Sequence, residues 1–267
     1  MAILNTVIIS SFQDFLEKVD RGQNSSESSL WFRGAGKSSY TLTPTLHRHP
    51  DITSSDILLE FERKLLTRFK ERSVPYLQHK IIDDWELLFL MQHYGMPTRL
   101  LDWTENPFIS LFFALSSACK DEHGVYDDDA AVWILSPSKW NQNVFIHTSY
   151  KGGAMSPSES QVTGYRPDTE AKLMHENPVA ILGIHNSPRI VAQRGSFCLF
   201  GKSLTSMEEI YVNGTFEQDT LTKIEIPSHL IQELLSKLVW MGITDSVVYP
   251  DLDGLAKETK RLFGFGV

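Results

Sequence analysis

Two strongly apolar segments joined by a short polar one, Asp83 to Ala118, constrain the fold of this chain more than any other feature. Asp83 with Glu86 three residues on makes a capping-box-like helix start. Leu87-Leu88-Phe89-Leu90-Met91 is apolar all round, the pattern of a buried helix rather than a surface one. Gly95 and Pro97 supply the stop, and Arg99 to Thr104 is too short for a helix and suits a strand or extended turn. Thr104 or Asn106 can cap the next helix, with Pro107 in its first turn. Phe108, Leu111, Phe112 and Leu115 then fall on one core-facing stripe.

Between those apolar segments lie Gln92, His93, Tyr94, Thr98, Arg99, Asp102, Trp103 and Thr104. Charges and amides beside a core must be paired or used. Two readings fit: a buried Arg99–Asp102 pair that orients the turn, or a ligand site built on the same residues.

Composition limits the rest. A net charge of −8 argues against an extended nucleic-acid-binding face but leaves room for a local basic pocket. Two cysteines, Cys119 and Cys198, make no disulfide framework, so a cytoplasmic protein is expected. No run approaches membrane-spanning length. His47 and His49 lack further nearby ligands, the acidic loop Asp121 to Asp129 lacks calcium-loop spacing, and no metal is expected.

Elsewhere the pattern predicts helices on the stripes Phe12-Phe15-Leu16-Val19 and Leu58-Phe61-Leu65-Phe69, with a polar loop from Arg21. Strands are predicted at Ala131 to Leu135 and Leu221 to Ile226, a helix carries Leu230 to Leu238, and a closing helix runs from Asp251 to Phe263. Residues 136–187 show no clear period and read as long connections. Arg189 to Phe200 reads as strand, break at Gly195, strand, with Gln193 either beside a site or on an exposed edge. Val247 to Tyr249 reads as a last short strand. The Gly36-Lys37-Ser38 run is not a phosphate loop, because Trp31 stands where that motif needs its first glycine. Trp31-Phe32-Arg33-Gly34 is an apolar strand end from which Arg33 projects into a cleft or pairs at the surface. Helices and strands mix without a βαβ rhythm, which predicts one α+β domain with a mixed or antiparallel, bent or split sheet flanked by helices.

Three segments together resemble the FRG domain family. They are Phe32-Arg33-Gly34, then Gln92 to Thr104 with Asn106-Pro107 and Phe112-Phe113-Ala114, then Arg189 to Gln193 with Gly195 and Phe197. The resemblance reaches Tyr249 to Gly254, so it implies a single FRG domain over 1–267, with a motif core at 30–200 and C-terminal strand and helix elements at 221–267. It implies a bacterial or phage-borne protein with a plausible part in anti-phage defence, as toxin or effector.

A more distant resemblance is to ADP-ribosyltransferase-like folds. It implies that Arg33-Gly34 holds NAD, that Asp102-Trp103-Thr104 leads into the following helix, and that Gln193 stands where such enzymes carry an acid. A neutral amide cannot offset charge growing at the ribose carbon, so either another acid enters the site, Asp102 being the nearest candidate, or Gln193 only binds, or the nucleotide is bound without turnover. The function implied is NAD-dependent ADP-ribosyl transfer or NAD hydrolysis, with a macromolecular acceptor or a phage protein as partner. The rival is a non-catalytic nucleotide-sensing or interaction module; a nuclease fares worse, since no carboxylates cluster as metal ligands.

The expected catalytic residues are thus Arg33, Asp102, Thr104 and Gln193. The expected ligand contacts are Gly34, Gln92, His93, Tyr94, Thr98, Arg99, Trp103 and Gly195, with Tyr94 or Trp103 stacking on the nicotinamide ring. If Arg33, Asp102, Thr104 and Gln193 serve one site, their side chains face one cleft about 10 Å across.

Overall fold

The computed structural model describes residues 2–24, 26, 28–77, 81, 83–148, 150–183 and 188–265. In chain order the elements are β1 (Asn5–Ile8), α1 (Phe12–Asn24), β2 (Trp31–Ala35), α2 (Ser55–Ser73), α3 (Asp84–His93), β3 (Leu100–Thr104), α4 (Pro107–Ser116), β4 (Ala130–Leu135) and α5 (Pro137–Val144). There follow β5 (Val179–Leu182), α6 (Pro188–Gln193), β6 (Gly195–Leu199), α7 (Met207–Asn213), β7 (Leu221–Ile226), α8 (Ile231–Trp240), α9 (Asp245–Val248) and α10 (Leu252–Leu262).

The strands form one sheet in the order β1-β7-β4-β2-β3-β6-β5, antiparallel except for the parallel pair β1–β7. The expected α+β domain with a mixed sheet flanked by helices is what forms. Its weakest join is central. β2 pairs with β4 along its whole length, but with β3 only at Phe32 and Thr104.

The Asp83 to Ala118 stretch folds as its pattern predicts. Asp83 caps α3 by accepting the Trp85 N–H, and Asn106 caps α4 by accepting the Phe108 and Ile109 N–H groups. Helix α4 lies across β2, β4 and β3, packing Ile109, Phe112 and Leu115 against Phe32, Val132 and Ile224. Gly34 makes that contact possible. A Cβ there would stand 2.0 Å from the Ser110 carbonyl oxygen and 2.5 Å from the Ala114 nitrogen. The close approach expected of a ligand at Gly34 is made instead by the backbone of α4.

Three other expectations are corrected. Arg189 to Gln193 is not a strand: Pro188 starts a short helix, α6, and the chain turns at Arg194 (φ 46°) into β6. Ile190 and Val191 suit a strand in isolation, but Ile190 packs over Gly195 from the helix. Val247 to Tyr249 is likewise no strand; Asp245–Val248 is one helical turn whose Val248 enters the α4–α8 core. Helix α1 continues to Asn24 through residues expected to be loop. Residues 136–187, unreadable as pattern, contain α5, several 3₁₀ turns and β5.

The Gly34 contact yields a direct test. Gly34→Ala forces α4 away from β2 and should lower stability by about 1–3 kcal/mol, the usual cost of overpacking. Urea denaturation of the variant checks it; an unchanged midpoint would mean α4 is not seated on this strand.

Candidate functional site

Alternation along β3 divides its side chains between two faces of the sheet. Leu101 and Trp103 point into a core that also holds Trp31, Trp133, Trp140 and Cys198. Leu100, Asp102 and Thr104 point to the other face, toward α3 and α4. Asp102 lies opposite Phe197, whose ring packs on Phe89 of α3 at 5.2 Å.

Asp102 is exposed in the middle of an otherwise buried strand. Its carboxylate is fixed from α3. Gln92 Nε2 donates to both oxygens at 2.9 Å, and Thr98 Oγ1 donates to Gln92 Oε1 at 2.5 Å. The Leu100 N–H donates in turn to Thr98 Oγ1 at 3.0 Å, which ties the chain of hydrogen bonds to the backbone entering β3. The amide orients the acid and leaves its remaining lone pairs to solvent.

Residues from α6 and the end of the chain stand near Asp102. The Tyr249 ring has the Arg189 guanidinium 4.6 Å from its centroid and the Lys257 ammonium 4.9 Å away, with Phe113 against its edge. Burial raises the Tyr249 hydroxyl above its ordinary pKa; Arg189 opposes the rise, and Asp245, Asp102 and Asp251 add to it. Asp102 and Arg189 are therefore both within electrostatic reach of one phenol. His93, in the last turn of α3, is held below its ordinary pKa, first by burial and then by Arg189, with Asp251 opposing. Tyr94 beside it is 68% exposed and meets the His93 ring edge-on. The turn before α10 is locked: Asp251 accepts the Gly254 N–H at 2.8 Å, and a Cβ on Gly254 would stand 1.9 Å from the Tyr249 carbonyl oxygen.

The four expected catalytic side chains are close in space but do not face one cleft. Arg33 shares its face with Trp31 and with its cross-strand neighbour Trp133, opposite to the Asp102 carboxylate. Its Nη1 donates to the Asp102 carbonyl oxygen at 2.5 Å, a side chain bridging β2 and β3 where the ladder between them lapses. Burial lowers the Arg33 pKa while nearby Asp102 raises it, and Arg48 lowers it further. Thr104 Oγ1 donates to the Gln193 carbonyl oxygen at 2.5 Å and accepts from the Asn106 N–H. Gln193 Nε2 donates to the Val248 carbonyl oxygen at 3.0 Å, joining α6 to α9. Thr104 and Gln193 are ties between elements.

Of the expected ligand contacts, Gln92, His93, Tyr94 and Thr98 belong to the Asp102 side. Trp103 does not stack on anything entering from there; it is 3% exposed in the opposite core. Gly195 is buried in β6 opposite Thr104. Arg99 is wholly buried and pairs with Glu62, not Asp102: Nε donates to Glu62 Oε1 at 2.8 Å, Nη1 to the Phe200 carbonyl and Nη2 to the Tyr165 carbonyl. The Arg99–Asp102 pair is corrected, because alternation turns these two side chains to different surroundings. Sequence reasoning named neither Arg189 nor Tyr249 and Asp251 as site residues, although each lay in a segment carrying the family resemblance.

Two concavities, of about 390 Å³ beside Trp85 and Arg166 and about 360 Å³ beside α1, are lined by none of Gln92, His93, Asp102, Arg189, Tyr249 and Asp251. Among the described residues no three His, Cys, Asp or Glu side chains cluster as metal ligands, and no helix is long and apolar enough to cross a membrane.

Comparison with known families matches the FRG domain to residues 28–123, from just before β2 to just after α4. An FRG domain occupies this region. The match covers about a third of the chain. Gln92, His93 and Asp102 lie inside the FRG domain, and Arg189, Tyr249 and Asp251 lie beyond it. No curated protein and no solved structure matches the chain.

Two measurements follow from these placements. Arg99→Ala leaves Glu62 buried without its cation and should cost about 3–5 kcal/mol, whereas Asp102→Ala, losing an exposed acid, should melt close to wild type. Equal losses in the two variants would contradict the assignment. His47 is buried with neither ring nitrogen hydrogen-bonded among the described residues, and burial beside Arg99 pushes its pKa down to about 3. The unfolded chain takes up that proton near the ordinary value of about 6.5, so stability falls as pH drops from there toward 3. His47→Phe should flatten that slope in pH-dependent denaturation, and an unaltered slope would mean the ring is already protonated or solvated in the fold.

Proposed function

We propose that the Asp102 cleft binds a nucleotide, NAD in the first instance, and cleaves its nicotinamide–ribose bond. The supporting observation is the Asp102 carboxylate, held in one orientation by Gln92 and Thr98 on the exposed side of a core strand. As the glycosidic C–N bond breaks, its electron pair leaves with neutral nicotinamide and positive charge develops at the ribose carbon. A preorganised carboxylate stabilises that charge without reorganising. Water or a macromolecular acceptor then attacks the same carbon. In this reading Asp102 takes the role that Gln193 cannot fill.

Arg189 is the cation placed to receive a pyrophosphate, with a planar donor set suited to it. Tyr94, exposed beside His93, offers a ring for stacking. Arg33 acts as a positioning residue: it fixes the Asp102 backbone from the opposite face. Arg33→Lys keeps the charge but loses the planar geometry, so turnover should fall with little change in NAD affinity. This reading carries the resemblance to ADP-ribosyltransferases on Asp102 rather than on a third-strand acid, and a role in defence against phage would follow from depletion or transfer of NAD.

The test is nicotinamide release from NAD by wild type and Asp102→Asn. Wild type should release it, and the variant should melt normally while losing about 10²–10³ in rate, the usual effect of removing one charge-stabilising group. Binding of NAD without release by wild type would leave a nucleotide-sensing module. Absence of both binding and release ends the nucleotide reading.

A further inference from the structure

The concavity of about 360 Å³ lies where α1 crosses the ends of β1, β7 and β4. Its floor is apolar, Val7, Ile134 and Ile224, but its rim carries Lys18 and Arg21 from α1 and Lys139 from the first turn of α5. Arg21 has no ion pair among the described residues. Lys18 and Lys139 pair only near the surface, with half-buried Asp14 at 3.4 Å and exposed Glu217 at 3.3 Å. Such surface pairs contribute little and yield readily to a better anion.

Ser136 is the telling residue. It precedes α5 in the N-cap position, yet its side chain caps nothing. The strand ladder continues one residue past β4, through Ser136 N–H to the Thr220 carbonyl at 2.9 Å, so alternation puts the Ser136 side chain on the face of Ile134, toward the concavity it lines. Ser136 is 3% exposed, and its hydroxyl has no hydrogen-bond partner among the described residues. A buried hydroxyl left unpaired is costly, and here it stands beside a helix start whose N–H groups and dipole favour negative charge. Across the mouth, Asn5 Nδ2 donates to Asp219 Oδ1 at 3.2 Å, an amide and a carboxylate suited to the hydroxyl groups of a sugar.

We propose that this concavity binds a small sugar phosphate: the phosphate between Arg21, Lys139 and the start of α5, within reach of Ser136, and the hydroxyl-bearing part toward Asn5 and Asp219. The site shares no residue with the Asp102 cleft and stands or falls separately from the nucleotide reading.

Calorimetric titration of the whole protein with ribose 5-phosphate and with ribose tests it. Ribose 5-phosphate should bind, ribose should not, and affinity should weaken as salt is added. Arg21→Ala and Lys139→Ala remove surface side chains, so each should melt like wild type yet bind about tenfold more weakly, as expected for a charged hydrogen bond. If millimolar ribose 5-phosphate produces no heat and no rise in melting temperature, the proposal is overturned. Binding that persists undiminished when Arg21→Ala and Lys139→Ala are combined overturns it equally, since the phosphate would then sit elsewhere.

Discussion

The buried guanidinium of Arg99 orders the middle of this molecule. Arg99 stands one residue before β3, and its guanidinium reaches Glu62 of α2, the Phe200 carbonyl just past β6 and the Tyr165 carbonyl in the long connection. Three distant stretches of chain are thereby brought to one point. Removing a guanidinium from water is expensive, and only several well-placed acceptors offset it. Because those acceptors lie on different elements, the arginine specifies where they meet. It also decides where β3 begins, and hence which of its side chains face each side of the sheet.

That phase assigns the roles in the central motif. With Arg99 turned inward, Leu101 and Trp103 enter the tryptophan-rich core, and Asp102 emerges on the α3 side. Gln92 and Thr98 sit on the preceding helix and turn at the spacing needed to reach it. On the adjacent strand Gly34 faces α4 and Arg33 faces away, so one short motif supplies a contact surface for a helix and a donor for the Asp102 carbonyl. Among the polar residues between the two apolar helices, Arg99 and Thr104 are buried ties, Thr98 and Gln92 form an orienting relay, and the Asp102 carboxylate is exposed.

Much of this was legible from residues alone. The helices on either side of the polar turn, their caps at Asp83 and Asn106, and the strands at β4 and β7 follow from period and capping chemistry that tertiary contacts do not override. The failures are just as physical. Ile190 and Val191 have strand propensity, but Pro188 begins a helix and the contact of Ile190 with Gly195 holds it there. The Arg99–Asp102 pair looked natural at a spacing of three residues, yet Glu62, thirty-seven residues upstream, is the true partner. Nothing local announces a contact of that range. The Arg189–Tyr249 contact was hidden for the same reason: the two meet only after the chain has wrapped around the sheet.

The single ladder pair between β2 and β3 bears on how the protein comes apart. Backbone hydrogen bonds are dense within β1-β7-β4-β2 and within β3-β6-β5, and sparse between the two groups. The sheet is thus two hydrogen-bonded blocks, joined by α4 across the seam, by the Arg33 side chain along it and, on the other face, by the core that gathers Trp31, Trp133 and Leu135 with Leu101, Trp103 and Phe200. With so few backbone hydrogen bonds across it, the seam is where local opening is expected to begin, which amide exchange along β2 and β3 would report. The Asp102 carboxylate lies on the border between the blocks, at the place in the sheet where a small parting alters the backbone least protected by its neighbours.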